Sequence, residues 1–277
     1  MLFFIFVAMS EVKQISSLQN PLLKKVLLLK DKSRERKKAG LFILEGQREL
    51  KLALKGGYEV DALLFYEALA SEQEIKRMTK DSEQQPNLIS ISKEVYQKIA
   101  YRQTTEGVVA MVKTKSHSLD QLVFNTSTPL LLVAEATEKP GNIGALLRTA
   151  DAANLDAVLI ANPKGDLYNP NTIRSSVGCV FTNNIGTGST TEIIAFLKSK
   201  GISIYCAALS ASKNYTKINF TTANAIVVGT EATGLSEEWL QNATQNIIIP
   251  MRGEIDSMNV SVSAAVLIFE AVRQRSL

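Results

Sequence analysis

The sequence predicts an α/β protein with a parallel β-sheet in its C-terminal half and a smaller α/β domain in front of it. From about residue 129 onward, runs that are almost wholly Val, Ile, Leu and Ala alternate with helical stretches. This alternation is typical of a parallel sheet covered by helices on both faces. At 277 residues, with 45% apolar and 21% charged residues, the chain suits one large globular domain or two ordinary ones.

Five apolar runs are the predicted strands of the C-terminal sheet, and helical stretches connect them. The strands are predicted at 129–136, 157–161, 202–209, 225–231 and 246–250. The helices are predicted at 142–154, 169–177, 189–200 and 236–243, and a final apolar helix starts at Val260. Because ligands bind at the carboxyl ends of the strands in such sheets, we expect functional residues directly after each apolar run.

Residues 10–112 are predicted to form the smaller α/β domain, because helical patterns there alternate with short strands. The strands are predicted at 40–46, 62–66, 87–92 and 107–112, and the helices include 47–54 and 71–80. About 100 residues is the size of an independent fold. The polar stretch that follows predicts a linker over 113–128, so the sheet domain occupies 129–277.

Composition excludes several kinds of site. With His117 as its single histidine, the chain cannot build a multi-histidine zinc site, and we expect neither a bound metal nor a Ser-His-Asp triad. Neither G-x-G-x-x-G nor G-x-x-x-x-G-K-[ST] occurs, so the dinucleotide fingerprint and the phosphate loop are both missing. Cys179 and Cys206 are too few for a disulfide scaffold and, in apolar stretches, indicate buried thiols of a reducing compartment.

The first residues, MLFFIFVAMS, are not expected to be a membrane segment. The apolar run from Leu2 to Ala8 is too short to span a bilayer. It also lacks the basic start and the cleavage site of a signal peptide. We interpret Met9 as the natural start and residues 1–8 as the product of an upstream start codon, in preference to a short core strand. Either way, we expect a cytoplasmic protein without membrane contact.

A strongly basic segment, KKVLLLKDKSRERKK at 24–38, lies in the first domain. It carries eight Lys or Arg residues against Asp31 and Glu35, a net charge of +6, whereas the whole chain carries +4. Such a run can neutralise several phosphates and would make binding dependent on salt. The segment therefore indicates either a nucleic-acid-binding surface or a solvated helix face.

Polar side chains follow three of the predicted strands. Asn142 and Arg148 come after the first strand, in EATEKPGNIGALLRTAD. Glu231 ends the fourth run, and Ser257 and Asn259 follow the fifth at the start of the final helix. Because these strand ends lie at one edge of a parallel sheet, the side chains together indicate a functional site.

Each of these residues also has a structural explanation. Arg148 could be an ion-pair partner for Asp151 or Glu135, and Glu231 could be a turn residue. Ser257 could be no more than a helix N-cap. The coincidence of such residues at three strand ends favours the functional interpretation over three separate structural ones.

Two helix starts can be predicted from capping residues. Ser236 can cap the helix at 236–243, whose first turn carries Glu237 and Glu238. Asp256 or Ser257 is the predicted N-cap of the final helix.

Three segments resemble the motifs of the SpoU-type RNA ribose 2′-O-methyltransferases of the SPOUT superfamily. They are NIGALLRTADAANLDAVLI, IVVGTEATGLSEEWL and IIIPMRGEIDSMNVSVSAAVLIFEA, in the family's order, and they cover most of residues 129–275. Where the family usually has Ser-Leu-Asn, this chain has Ser257-Met258-Asn259, which keeps an apolar group of similar size. Residues 10–112 resemble the ribosomal-protein-like substrate-binding domain of many of these enzymes.

The resemblance implies a parallel sheet whose C-terminal segment threads a loop to form a trefoil knot. It also implies a homodimer and S-adenosylmethionine as the cofactor, bound in the knot largely through backbone groups. The matching positions here are Gly229, Ile249 and Met258. A dry pocket of Ile and Met with free backbone groups suits adenine, which is flat and apolar with polar edges.

The resemblance further implies which residues surround the ribose 2′-hydroxyl: Asn142, Arg148, Glu231, Ser257 and Asn259. Arg148 is the main catalytic candidate and is sometimes regarded as a general base. Arginine side chains stay protonated in proteins. We therefore prefer the interpretation that Arg148 binds phosphate and stabilises the developing alkoxide.

Enzymes with an N-terminal module of this kind act mostly on large-subunit ribosomal RNA, so the resemblance predicts structured ribosomal RNA as the partner. The residues expected to bind RNA are Arg34, Arg36, Lys37, Lys38 and Arg174. A transfer-RNA 2′-O-methyltransferase and a catalytically silent RNA-binding module are the alternatives. The presence of Glu231, which RNA binding alone would not require, argues against the silent module. A nucleotide-dependent oxidoreductase is disfavoured by the missing dinucleotide fingerprint.

Overall fold

The computed structural model describes residues 12–101, 106–209, 212–230 and 233–276. Residues 1–8, which we interpret as preceding the natural start, and the catalytic candidate Glu231 lie outside these ranges. The chain divides into two compact units, Met1–Thr114 and Lys115–Leu277.

The first unit is an α/β domain built on a mixed sheet. Its elements are β1 (Lys13–Ile15), α1 (Pro21–Asp31), α2 (Ser33–Ala39), β2 (Leu41–Glu45), α3 (Gln47–Lys55), β3 (Val60–Phe65), α4 (Glu72–Thr79), β4 (Asn87–Ile91), α5 (Lys93–Ile99) and β5 (Val108–Lys113). In the strand order β1-β4-β3-β5-β2, the first three strands are parallel and β5 is antiparallel to both of its neighbours. Helices α1 and α5 pack on the sheet through a buried apolar cluster that includes Val26, Val95 and Met111.

The basic segment 24–38 forms the consecutive helices α1 and α2, and most of its charges reach solvent. Its exposed basic residues are Lys24, Lys25, Lys32, Arg34, Lys37 and Lys38. Lys30 is half-buried instead, because its Nζ donates to the carbonyl oxygen of Ile99 at 2.8 Å and lies 4.0 Å from the centroid of the Tyr101 ring. The exposed charges therefore form the part of the segment that can meet a polyanion.

Arg36 corrects one prediction, because its side chain is only 2% exposed. Its Nη1 donates to the carbonyl oxygens of Leu29, at 2.6 Å, and Lys30, at 3.1 Å. Carbonyls in the last turn of a helix have no partner within that helix. The guanidinium therefore fastens α2 to the end of α1, and Arg36 is not available to bind RNA as the sequence predicted.

Replacing Arg36 with alanine is expected to lower the free energy of unfolding by about 1.5–3 kcal/mol, because the buried carbonyls lose a charged donor. Arg34→Ala, at an exposed position of the same helix, is the matched control and should change it by less than about 0.5 kcal/mol. Urea unfolding followed by circular dichroism measures both. Equal effects of the two substitutions would contradict the structural assignment of Arg36.

The second unit contains the parallel sheet. Its elements are β6 (Leu130–Glu135), α6 (Pro140–Ala152), β7 (Ala157–Ala161), α7 (Pro170–Ser175), β8 (Ile185–Gly188), α8 (Thr190–Ser199), β9 (Ser203–Ala207), β10 (Lys213–Asn214), β11 (Asn224–Val228), α9 (Glu237–Asn242), β12 (Gln245–Ile248) and α10 (Val260–Arg275). The strand order is β10-β12-β9-β11-β6-β7-β8, and every neighbouring pair is parallel. The predicted α/β fold with a parallel sheet is confirmed, and the trefoil knot stays a prediction from the family resemblance.

The five predicted strands form the continuous centre of this sheet, from β12 to β7. The edge strands β8 and β10 were not predicted. The sequence of β8 is IGTG, with two glycines, and β10 has only two residues, so neither produces an apolar run. Both strands are also less buried than most of the central ones: two residues of β8 are half-buried, and β10 has one exposed and one half-buried residue.

Residues of the predicted linker pack against the second unit. Leu122 is buried in the apolar core beside β6 and β7. The carbonyl oxygen of His117 accepts from the backbone N of Thr187 in β8, and its Nε2 lies 2.8 Å from the hydroxyl of Tyr168. Burial lowers the pKa of His117, so this imidazole is held neutral.

Both cysteines are free thiols in this unit. Cys206 is buried and Cys179 half-buried. Burial, together with the negative charge of Glu135, raises the pKa of the Cys206 thiol to about 12. Among the described residues, no helix is long and apolar enough to cross a membrane, and no cluster of His, Cys, Asp and Glu is placed to hold a metal ion.

Candidate active site

A cleft opens at the carboxyl ends of three neighbouring strands, β9, β11 and β12. Its volume is about 520 Å³, within the range of roughly 300–1,000 Å³ that is usual for ligand sites. Its walls come from the segments that follow these strands and from the start of α10. This is the edge at which parallel sheets bind ligands.

All three residues predicted to bind the cofactor, Gly229, Ile249 and Met258, line this cleft. Ser257 lies there as well. The remaining walls are mostly Ala, Val, Leu and Ile, with backbone groups and threonine hydroxyls between them, and Asp256 is the one acidic residue among the described lining residues. Such walls suit a ligand that contains a flat apolar base with polar edges.

Gly229 lies where the chain passes very close to itself. A Cβ atom at this position would lie closer than 3.0 Å to the backbone C and O of Gly234 and to the N of Leu235. Thr230 and Gly234 exchange two backbone hydrogen bonds of 3.1 Å. We name residues 229–230 and 233–236 the clasp, and only glycine at 229 lets these two stretches approach so closely.

One hydrogen bond joins the first and third motifs. Asn259 Nδ2 donates to Asn142 Oδ1 at 3.2 Å, across 117 residues of sequence. Asn259 is also the N-cap of α10, because its Oδ1 accepts from the backbone N of Ser261 at 3.0 Å. The prediction that Asp256 or Ser257 caps this helix was therefore wrong.

Arg148 is exposed on α6, and neither suggested ion pair forms. The carboxylate of Asp151 accepts from Thr182 Oγ1 at 3.2 Å, and that of Glu135 is bonded to Ser236 and Thr190. Among the described residues Arg148 has no hydrogen bond or ion pair. Its Cα lies six residues after that of Asn142, ~9 Å further along the helix axis, and its exposed guanidinium can bind an anion.

Helix α7 packs tightly against α6. A Cβ at Gly144 would lie closer than 3.0 Å to the Ser175 side chain and the Ser176 backbone N. Arg174 is exposed on α7 and hydrogen-bonded to Asn171. The close packing brings the helix of Arg174 against the helix that carries Asn142 and Arg148.

Sequence reasoning missed a buried carboxylate at the end of β6. Glu135 is 5% exposed, and its oxygens accept from Ser236 N at 2.8 Å, Ser236 Oγ at 2.7 Å and Thr190 Oγ1 at 2.9 Å. Ser236 does occupy the N-cap position of α9, but its side chain makes no capping hydrogen bond. The only signal in the sequence was a glutamate at the end of an otherwise apolar strand.

The fold and this cleft define an α/β enzyme that binds a nucleotide-like cofactor at the carboxyl ends of parallel strands. The model of the SpoU rRNA Methylase family matches residues 129–269, and that of the MRM3-like substrate binding domain matches residues 20–110. The chain belongs to the SpoU rRNA methylase family.

Individual relatives agree with this assignment. The 23S rRNA (guanosine(2553)-2'-O)-methyltransferase RlmP of Bacillus subtilis is 29% identical over 258 residues, which cover 93% of this chain and 98% of that protein. The crystal structure of an RNA 2'-O ribose methyltransferase matches with a TM-score of 0.80 at 36% identity, covering 95% of this chain and 100% of the other. An rRNA methyltransferase from Sinorhizobium meliloti, solved with bound AdoMet, shares the fold with a TM-score of 0.85 at 24% identity, covering 94% and 97%.

The predicted family, enzyme class and cofactor are thereby confirmed. The protein is an S-adenosylmethionine-dependent RNA ribose 2′-O-methyltransferase, and its N-terminal domain is an RNA substrate-binding domain. The oxidoreductase alternative is excluded.

Proposed function

We propose that this enzyme methylates a ribose 2′-hydroxyl of large-subunit ribosomal RNA. The observation that carries the proposal is the alignment with the 23S rRNA enzyme of Bacillus subtilis, which extends over both domains. In a chain with both domains, the substrate-binding domain captures the RNA and the methylase domain transfers the methyl group.

The cofactor-binding positions are Gly229, Ile249 and Met258, because all three line the cleft. S-Adenosylmethionine supplies a methyl group on a positively charged sulfonium. The apolar walls exclude water, and free backbone groups meet the polar edges of the base. Gly229 contributes by its missing side chain, which keeps the clasp closed.

Arg148 binds a phosphate beside the target ribose and stabilises the negative charge that develops on the 2′-oxygen. Asn142 and Asn259, held together by their hydrogen bond, present amide groups that orient the ribose. Ser257 at the cleft and Glu231, which follows Thr230 in the sequence, complete the set of polar groups around the hydroxyl. In this arrangement Arg148 keeps its proton throughout, so it is not the general base.

Transfer of tritiated methyl groups from S-adenosylmethionine to purified ribosomal and transfer RNA tests the substrate. We expect incorporation into 23S rRNA, recovered as a 2′-O-methylnucleoside after digestion, and none into transfer RNA. Incorporation into transfer RNA alone would support that alternative. A protein that binds RNA but transfers no methyl group to either would be the silent module.

RNA capture is attributed to exposed basic residues of α2, namely Arg34, Lys37 and Lys38, with Arg174 as a further phosphate contact in the catalytic domain. Arg36 is left out because its guanidinium is buried. The side chains of Arg34, Lys37, Lys38 and Arg174 are all exposed. The first three belong to the segment of highest positive charge.

Replacing Arg34, Lys37 and Lys38 with alanine is expected to weaken RNA binding and to reduce its salt slope by up to ~0.9 per lost contact on a duplex-like site. Cofactor affinity should stay unchanged. Filter binding at several salt concentrations measures the slope. The matched control replaces Lys76, Arg77 and Lys80, exposed on or directly after α4, and removes the same charge. If both variants lose equal affinity, only net charge matters and α2 is a solvated helix face.

A homodimer is proposed on the exposed apolar face of α10. Val262 and Phe269 are 49% and 47% exposed, and their spacing of seven residues puts them on one face of the helix. Contiguous exposed apolar residues are typical of protein interfaces. Light scattering at micromolar concentration tests this, and a monomer would contradict it.

A cytoplasmic location and a reaction without a metal ion are also proposed. Ribosomal RNA as substrate and two free thiols support the location. A sulfonium is already an activated methyl donor, so methyl transfer needs no metal to activate it.

A further inference from the structure

Glu135 is a buried carboxylate with no direct role in the proposed binding of the cofactor or in methyl transfer. It is 5% exposed at the end of β6, and a buried charge is costly unless donors surround it. Three donors do so: the backbone N–H and hydroxyl of Ser236 and the hydroxyl of Thr190, at 2.7 to 2.9 Å. Hydrogen bonds to an ionised acceptor are stronger than neutral ones.

The donors tie Glu135 to two other parts of the catalytic domain. Thr190 starts α8, and its hydroxyl also accepts from Asn162 Nδ2 at 2.9 Å, directly after β7. The Thr190 hydroxyl proton is therefore directed at Glu135. Ser236 is the last residue of the clasp and the N-cap of α9.

The position of Ser236 determines the position of the cleft wall. From Gly229 to Leu235, the described residues of the clasp line the cleft. The backbone hydrogen bonds between Thr230 and Gly234, and the close approach at Gly229, make this wall one tight unit. A displacement at Ser236 would therefore move the wall against which the cofactor binds.

We propose that Glu135 is a positioning residue that holds the clasp in its cofactor-binding conformation and so sets the affinity for S-adenosylmethionine. The inference rests on the proposed cofactor site. Glu135 does not line the cleft, and it acts through Ser236.

Glutamine keeps nearly the shape of Glu135 but loses its charge and one of its two acceptor oxygens. An amide has one acceptor oxygen and one donor nitrogen, whereas Glu135 faces donors with both oxygens. If the amide nitrogen faced Ser236 N, two N–H donors would face each other with no acceptor between them. In the opposite orientation the nitrogen would face the Ser236 and Thr190 hydroxyls, which would have to turn from donating to accepting, so both of their hydrogen bonds to an ionised oxygen would be lost.

Calorimetric titration of the full chain with S-adenosylmethionine is the test. We expect Glu135→Gln to raise the Kd by ~10–100-fold, as for the loss of a charge-assisted hydrogen bond. The KM for S-adenosylmethionine should rise by a similar factor and the KM for RNA should not. A lower kcat at unchanged KM would indicate a smaller folded fraction only, and would overturn the proposal.

Glu192→Gln is the matched control. The Glu192 carboxylate accepts from the backbone N and hydroxyl of Ser189, at 2.7 and 2.8 Å, at the start of α8. These bonds resemble those of Glu135 to Ser236, but Glu192 is exposed and makes no hydrogen bond to the described residues of the clasp. Glu192→Gln should leave the Kd unchanged, and an equal increase in both variants would overturn the proposal.

Ser236→Ala tests the same contact from the other side and serves if Glu135→Gln does not fold. It removes the hydroxyl and keeps the backbone donor, so we expect a smaller rise in Kd, of ~3–10-fold. Unchanged affinity in a folded Ser236→Ala variant would count against Glu135 as a positioning residue. A wild-type chain that binds no S-adenosylmethionine would instead contradict the proposed cofactor site.

Discussion

Replacing Arg148 with alanine is expected to reduce methyl transfer by about 10²–10³-fold, the usual effect of removing one group that stabilises developing negative charge. Arg148 is exposed on α6 and, among the described residues, has no competing ion pair. Most RNA affinity should remain, because the basic residues of α2 lie in the substrate-binding domain. Single-turnover transfer of tritiated methyl groups, with RNA saturating, measures the effect.

Two further variants define what Arg148 contributes. Arg148→Lys keeps the charge and loses the planar fork that matches a phosphate, so it should recover only part of the rate. Arg77→Ala removes an equally exposed arginine from α4 in the substrate-binding domain and should transfer at the wild-type rate. Full activity of the Arg148→Ala variant would show that Arg148 takes no part in catalysis.

Replacing Gly229 with alanine is expected to weaken binding of S-adenosylmethionine strongly, with a Kd raised by ~10–100-fold or more. The new Cβ would lie closer than 3.0 Å to the backbone of Gly234 and Leu235, and backbone atoms cannot move aside as the end of a side chain can. Relief requires the clasp to open, which costs about 1–3 kcal/mol or more and displaces the cleft wall. Calorimetry on the full chain measures the binding.

Gly141→Ala is the matched control for Gly229→Ala. A Cβ at Gly141 meets nothing within 4 Å, so this variant should bind the cofactor as the wild type does. A thermal unfolding curve of each variant separates a local change in the clasp from global unfolding. Normal cofactor binding by a folded Gly229→Ala variant would show that the clasp can open without consequence for the cleft.

Most of the centre of the parallel sheet could be predicted from the sequence because these strands are buried on both faces. Burial on both faces requires near-continuous apolar runs, and β6, β7, β9 and β11 each have one. Most residues of β12 are only half-buried, and this strand was predicted from its run of Ile247, Ile248 and Ile249. The edge strands β8 and β10 could not be predicted, because they are short, less buried than β6, β7 and β11, and carry no such run. Strand pairing at an edge depends on which backbone groups the folded chain brings there.

The candidate site was predicted where its residues follow strand ends. Gly229, Ile249 and Met258 line one cleft because parallel strands present their carboxyl ends at one edge. The family motifs added what spacing alone did not contain, namely the choice of Gly229, Ile249 and Met258 as cofactor positions, the cofactor itself and the reaction. Arg36 was assigned wrongly because a basic run has the same composition whether its side chains face water or a helix end.

By itself the sequence determined the α/β class, the central strands and the three motifs, because each depends on residues that are near one another in the chain. Tertiary structure alone decided which distant partner each polar side chain takes. Asn142 meets Asn259 across 117 residues, and Glu135 meets Ser236 across 101. A buried polar group must find a donor or acceptor, but its type does not specify which distant residue packing will bring within hydrogen-bonding distance.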